Sequence, residues 1–210
     1  MAKGKVVNIL VLGATGKTGH QIVRYALETG YRVTVLVRDK SKLKLKYNNL
    51  IVIRGNVRNK KDVEKAVKDQ NVIISSLGVR PGQNPVCREG IENIMESMAK
   101  LKVKRLIAVS AYGARETAKN FYGKVLNYFL KNIMRDKNEM EDLIEKSKLD
   151  WTVIRPVILT NAEFSNNYKI QTKGAISGGF HFISREDIAR FIIDSLDNKE
   201  YKKKFVTIYN

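Results

Sequence analysis

Gly13-Ala14-Thr15-Gly16-Lys17-Thr18-Gly19 is the stretch whose residue types and spacing point most directly to chemistry. Its first glycine permits a tight turn, and its second lets backbone N–H groups come close to a pyrophosphate. Its third lets a following helix lie close on a sheet. The flanks suit that use. Val6 to Leu12 is a β-branched apolar run, His20 to Glu28 is amphipathic, Gly30 is a stop, and Val33 to Val37 is a second apolar run closing on Arg38-Asp39. Strand, glycine turn, helix and strand in that order form a dinucleotide-binding βαβ unit, with the helix N-terminus offering unpaired N–H groups to phosphates. Gly16-Lys17-Thr18 also matches the end of a P-loop, but that motif requires glycine where Val11 stands and is rejected.

The rest of the chain supplies elements to position such a site. Apolar runs at Leu50 to Ile53, Val72 to Ser76, Leu106 to Val109, Trp151 to Ile154 and Phe205 to Tyr209 read as strands. Helical spacing marks Lys60 to Asp69, Val86 to Leu101, and Phe121 to Ser147 with an interruption expected near Arg135-Asp136-Lys137. Arg155-Pro156 is expected to stop the sixth strand. Asn161 to Gly179 reads as loop with a short strand near Tyr168 to Gln171, and Ser184 starts a helix to Leu196. The alternation predicts one α/β domain over residues 1–210: a Rossmann-like, doubly wound parallel sheet with helices on both faces and a small substrate-side portion at about 156–183. Ligands of such sheets lie across the strand C-termini. The candidate site is therefore Gly13 to Lys17, Arg38, Asn56, Leu77 to Arg80, Ser110 to Gly113, and Pro156 to Leu159.

Two signals compete over which dinucleotide is bound. Asp39 has the spacing of an acid that accepts the ribose hydroxyls of NAD. Arg38 stands at the same strand end and is followed by Lys40 and Lys42, a cationic neighbourhood suited to a phosphate. NADPH is expected over NADH.

ILVLGATGKTG, GYRVTVLVRDKSKL, GNV, the Leu77-Gly78 strand end, REGIENIMESM, LDWTVIRP and ISREDIA together resemble an atypical short-chain dehydrogenase/reductase of the NAD(P)H-binding group. Within that group the similarity is greatest to the biliverdin reductase B, or flavin reductase, type. The resemblance implies hydride transfer from NADPH to a flavin (FMN or riboflavin) or to a linear tetrapyrrole such as biliverdin. It implies that Gly13, Thr15, Gly16, Lys17 and Thr18 hold the pyrophosphate and that Arg38 and Lys42 contact the 2′-phosphate. Asn56 and Val57, in place of the usual Asp-Val, would edge the adenine. Leu77, Gly78 and Arg80 would line the ribose side and the pocket mouth.

The usual proton donor is missing. None of the 9 tyrosines is followed by lysine four residues later. Lys137 falls near the family's catalytic-lysine position, but Ile133 takes the place of the tyrosine. The fifth strand ends in Ser110-Ala111, where relatives carry two hydroxyls. Ser110 and Tyr112 are the candidate catalytic residues, with Ser110 and Pro156 also placed at the cofactor, and Tyr122 a further replacement. Carbonyl reduction benefits greatly from a positioned acid. A flavin delocalises the charge it receives and can take its proton from solvent, so juxtaposition in an apolar pocket suffices.

The composition narrows the classes. Hydrophobic residues at 43% and charged residues at 29% are those of an ordinary globular chain. There is no apolar run long enough for a membrane span and no signal-peptide pattern, so a cytoplasmic protein, monomer or homodimer, is expected. Cys87 alone and two scattered histidines, His20 and His181, predict neither disulfide nor metal site. The net charge of +18 lacks the interleaved aromatics of a nucleic-acid motif, so no specific nucleic-acid partner is expected. The alternative from another class is a non-catalytic NADP(H)-binding redox sensor of the NmrA-like type. A sugar-nucleotide epimerase is disfavoured by the missing Tyr–Lys pair.

Overall fold

The computed structural model describes residues 7–79, 82–119, 124, 128, 130–178 and 180–210. Val, Ile and Leu runs form β1 (Asn8–Leu12), β2 (Arg32–Val37), β3 (Leu50–Arg54), β4 (Val72–Ser75), β5 (Arg105–Val109) and β6 (Asp150–Pro156). Two short strands, β7 (Ile158–Thr160) and β8 (Lys169–Gln171), precede β9 (Phe182–Ser184) and the terminal β10 (Lys204–Tyr209). The main sheet has the order β3-β2-β1-β4-β5-β6-β10-β8, and β7 pairs with β9 in a small sheet of its own. β1 pairs in parallel with both β2 and β4, so the winding reverses across it. That reversal is the switch point of a doubly wound sheet.

The alternation of β1 divides the core. Ile9 and Val11 face α1 (Lys17–Glu28), with Ile22 and Val23 buried on that side. α1 packs on the last helix, whose Ile188 and Ile192 join the same cluster. Leu10 and Leu12 face the opposite layer with Ile73, Ile91, Met98 and Trp151. That layer is α2 (Lys60–Val67), α3 (Cys87–Lys100) and α4 (Lys131–Glu145); the last helix is α5 (Arg185–Asp194). Each fully buried Ile or Leu contributes about 1.5–3 kcal/mol, so both clusters hold the sheet between the helical layers.

The doubly wound sheet is as expected, with one antiparallel addition at its edge: β8 pairs with β10 and ties Lys169–Gln171 into the main sheet. Two expectations need correction. β6 continues through Arg155 to Pro156, because a residue before proline favours extended backbone and Pro156 still accepts from the Tyr112 N–H at 2.9 Å. α4 is unbroken at Arg135-Asp136-Lys137, since Asp136, Lys137, Met140, Glu141 and Ile144 share its buried face. The beginning of the expected long helix, from Phe121, lies outside the described residues.

The charged members of that face have partners. Arg155, buried on β6, donates from Nη2 to Glu141 Oε2 at 2.6 Å and from Nε to Oε1 at 3.1 Å, and from Nη1 to Glu116. Phe205 of β10 lies under the guanidinium, 4.1 Å from ring centroid to Cζ. Glu141 is wholly buried while the Glu116 side chain is 42% exposed. Burial pushes the Glu116 carboxyl up, but the Arg155 hydrogen bond and charge outweigh it and hold the group below its usual range. Its stabilisation is therefore complete above the ordinary glutamate range and is lost as pH falls through the lowered folded value. Urea denaturation at neutral pH should show Glu141→Gln losing about 3 kcal/mol. Glu116→Gln should lose less and should flatten the acid limb of the stability curve.

Candidate functional site

The glycine turn fits a pyrophosphate because its own backbone fills the space that side chains would take. Gly13 has φ +82°, and a Cβ there would overlap the Ser76 carbonyl at the end of β4. A Cβ on Gly19 would overlap the Gly13 carbonyl, so α1 lies directly on the turn. The Gly16 N–H donates to Gly13 O at 3.0 Å, and His20 N–H donates to Gly16 O at 2.8 Å, which starts the helix at Lys17. Gly16 caps α1 without a side chain, and the first turn holds no acid. The N–H groups beyond it and the positive end of the helix are thus left for an anion. Thr15, Gly16 and Lys17 are exposed, and Thr18 is half-buried.

At the end of β2 the competition between acid and base takes a definite geometry. Asp39 Oδ1 accepts from Ser41 N at 3.0 Å and from Ser41 Oγ at 2.7 Å, capping a short turn at Lys40–Lys42. The hydrogen bonds from the Ser41 hydroxyl and N–H hold the Asp39 carboxyl below its usual range. Arg38 and Lys42 are exposed, and neither enters an ion pair among the described residues. At the end of β3, Asn56 Oδ1 accepts from Arg58 N at 3.1 Å, so its side chain shapes the turn. Val57 accepts from Asn93 Nδ2 at 2.9 Å through its carbonyl, which anchors that turn to α3.

The ends of β4 and β5 are joined by a lysine. Lys137 is only 5% exposed, and its Nζ donates to Leu77 O at 2.9 Å and to Val109 O at 2.7 Å. Its neighbour Asp136 caps α3 from outside, accepting from Val86 N at 3.1 Å, Cys87 N at 2.8 Å and Arg88 N at 2.9 Å. This is a helix cap borrowed from another helix: α3 has no side-chain cap of its own, and Asp136 takes the N–H groups of Val86 and of the first two helical residues. Cys87 is buried, donates to Leu77 O at 3.4 Å, and has its thiol pushed up by burial. Gly78 is exposed beside Leu77, and Arg80 lies outside the described residues.

The two candidate catalytic residues have different fates. Ser110 is 5% exposed, its N–H donates to Ile154 O at 2.7 Å, and its Oγ has no hydrogen-bond partner among the described residues. Tyr112 is 1% exposed inside the α1-side core, and its hydroxyl accepts from Ile176 N at 3.2 Å. It anchors the 161–179 loop from within, a placement that does not suit a proton donor over a cofactor. Pro156 is buried and contributes only its carbonyl, to Tyr112. Tyr122 lies outside the described residues.

A cleft of about 440 Å³ opens from the glycine turn. Thr15, Gly16, Lys17 and His20 form one wall, and Asn161, Glu163 and Arg185 the other. Arg185 Nη1 donates to Thr160 O and Asn161 Oδ1, both at 2.8 Å, fixing the outer wall. Burial first, then the Arg24 charge, lowers the His20 pKa, so this wall carries a neutral imidazole at pH 7. His181 is spent elsewhere, between Asn210 O at 3.0 Å and Ser177 O at 2.9 Å.

A family model described as NAD(P)H-binding matches residues 13–199. The chain belongs to the NAD(P)H-binding family. An uncharacterised chloroplast protein of Arabidopsis thaliana is 29% identical over 230 residues, spanning 99% of this chain and 80% of its own. A short-chain dehydrogenase/reductase of Veillonella parvula, solved in complex with NADP, superposes with a TM-score of 0.84 at 19% identity, over 98% of this chain and 95% of its own. An anaerobillin reductase of Escherichia coli O157:H7 superposes with a TM-score of 0.84 at 20% identity, over 96% of both chains. At such identities the two structures speak for the fold. Among the described residues, no helix is long and apolar enough to cross a membrane.

In this NAD(P)H-binding chain the fold brings the glycine turn, Arg38, Leu77, Ser110 and Pro156 to one edge of the sheet. Spacing alone does not reveal the Asp136 cap or the Arg185 wall. One signal for the cap is present all the same: three charged residues stand on the apolar face of α4. Asp136→Ala should lower unfolding stability by about 2 kcal/mol. Hydrogen exchange should accelerate at the Val86, Cys87 and Arg88 amides and remain unchanged in α1.

Proposed function

We propose that this chain is an NADPH-dependent reductase that delivers a hydride to a planar, charge-delocalising acceptor, a flavin or a linear tetrapyrrole. The observation that carries the reading is the position of Lys137. It falls near the place of the family's catalytic lysine, yet its ammonium is spent on two backbone carbonyls, and no tyrosine stands four residues before it. A lysine so engaged holds strand ends together instead of lowering the pKa of a tyrosine. Chemistry at this edge then rests on proximity and orientation, which suits an acceptor that takes its proton from water. The likeness to an anaerobillin reductase supports a tetrapyrrole among the acceptors.

Bound NADPH supplies the hydride, from its nicotinamide ring. Thr15, Gly16, Lys17 and Thr18 would hold the pyrophosphate at the start of α1, with Gly13 and Gly19 letting the turn pack closely on β4 and α1 on the turn. Arg38 and Lys42 would hold the 2′-phosphate, while Asp39, already bonded to Ser41, is drawn away from a ribose hydroxyl. Val57 and Asn56 would border the adenine, and Leu77, Gly78 and Pro156 the nicotinamide side. Ser110 Oγ, buried and without a partner among the described residues, is proposed to orient the nicotinamide amide or the acceptor.

The test is loss of the reduced-nicotinamide absorbance with FMN, riboflavin and biliverdin supplied in turn. Turnover on at least one is expected. Tight NADP(H) binding with no turnover on any of them would contradict the reductase reading and favour a non-catalytic sensor. Arg38→Ala should weaken NADPH about tenfold or more, since a charge-assisted phosphate contact contributes roughly 1.5–3 kcal/mol, and should leave NADH nearly unchanged. Equal losses for both dinucleotides would contradict the assignment of the 2′-phosphate.

A further inference from the structure

The strand N-termini form a second edge, opposite the dinucleotide site, and they hold a cleft of about 580 Å³. That is within the size range of small-molecule sites. Its lining is strongly basic: Lys102, Lys104, Arg105, Lys199 and Lys202 stand against the carboxylates Asp150 and Asp197. Lys202 pairs with Asp150 at 3.2 Å. The other lysines of the lining form no ion pair among the described residues.

Arg105, at the start of β5, is the unusual member. It is 8% exposed. Its Nε donates to Leu196 O at 2.9 Å, and its Nη1 donates to Asp150 O at 3.1 Å and to Thr152 Oγ1 at 2.8 Å. Nη2 is buried and has no acceptor, and no carboxylate pairs with the guanidinium among the described residues. Arg155 shows what the same protein does with a buried guanidinium it keeps for structure: two glutamates bracket it. Burial pulls the Arg105 pKa down, with the Asp150 and Asp197 charges opposing, whereas the glutamates raise that of Arg155 against its burial. A buried donor left without an acceptor is costly, and an anion of the right shape relieves the cost.

We propose that this cleft binds a small, multiply charged phosphate anion of the polyphosphate class, through Arg105 with Lys102 and Lys104 at its mouth. The site is separate from the dinucleotide site and does not rest on the reductase reading. It also gives part of the +18 net charge a use that the cofactor leaves unassigned.

The full chain should be titrated calorimetrically with inorganic tripolyphosphate at fixed ionic strength, with and without saturating NADP⁺, and with sulfate as the control. Binding is expected in both conditions, stronger than for sulfate. Lys102→Ala/Lys104→Ala should weaken it by about tenfold or more and leave NADP⁺ binding unchanged. Arg105→Gln should abolish it, with folding checked by circular dichroism. If that variant does not fold, the double lysine variant decides, because both side chains are exposed. Absence of binding, equal affinity for sulfate, competition by NADP⁺, or affinity unchanged by the lysine substitutions would each overturn the proposal.

Discussion

Backbone packed on backbone at the end of β1 sets the position of every group at the functional edge. Gly13 lies against the Ser76 carbonyl, and Gly19 lies against Gly13, with no room for a Cβ at either place. This contact brings β1, β4 and the start of α1 together at the switch point and points the uncapped end of the helix at the edge where the proposed pyrophosphate would lie. Widening it by one methyl would push α1 off the sheet and move the donors away from an anion. The αβα layers, the buried clusters and the strand order maintain this one approach.

A second constraint lies on the other face, where α4 carries its charges inward. Asp136 supplies the cap that α3 lacks, Lys137 binds the carbonyls that end β4 and β5, and Glu141 neutralises Arg155. Each charge is buried with its partner, which is the condition under which burial of charge is tolerable. The consequence for function is direct. The lysine and the strand ends are committed to rigidity, so the edge offers a fixed platform with no Tyr-x-x-x-Lys pair and with a Ser110 hydroxyl that has no partner among the described residues.

Most of the fold was legible because its strands are continuous apolar runs and its first helix has one apolar face. The glycine turn before α1 and the Ser184 cap of α5 carry local chemistry that marks where those helices start. What local pattern could not supply was long-range. The antiparallel β8 depends on an edge of β10 distant in the chain, and the cap on α3 comes from a residue 49 positions beyond Cys87. Arg135-Asp136-Lys137 resembled a break because solvated charges end helices; here two of the three turn inward to partners that only the tertiary structure provides. Tyr112 stood at a strand end among site residues, yet its ring belongs to the core, because the chain turns after β5 ends at Val109 and the hydroxyl accepts from the distant Ile176 N–H.

The central claim is that this edge transfers a hydride by positioning alone, without an acid of its own. Stopped-flow reduction of FMN by NADPH and by NADPH deuterated at the transferred position, across pH 6 to 9 (roughly the range in which a catalytic acid titrates), tests it most directly. The account predicts a primary isotope effect and a hydride-transfer rate nearly independent of pH. A rate that falls with the titration of a single protein group would contradict it.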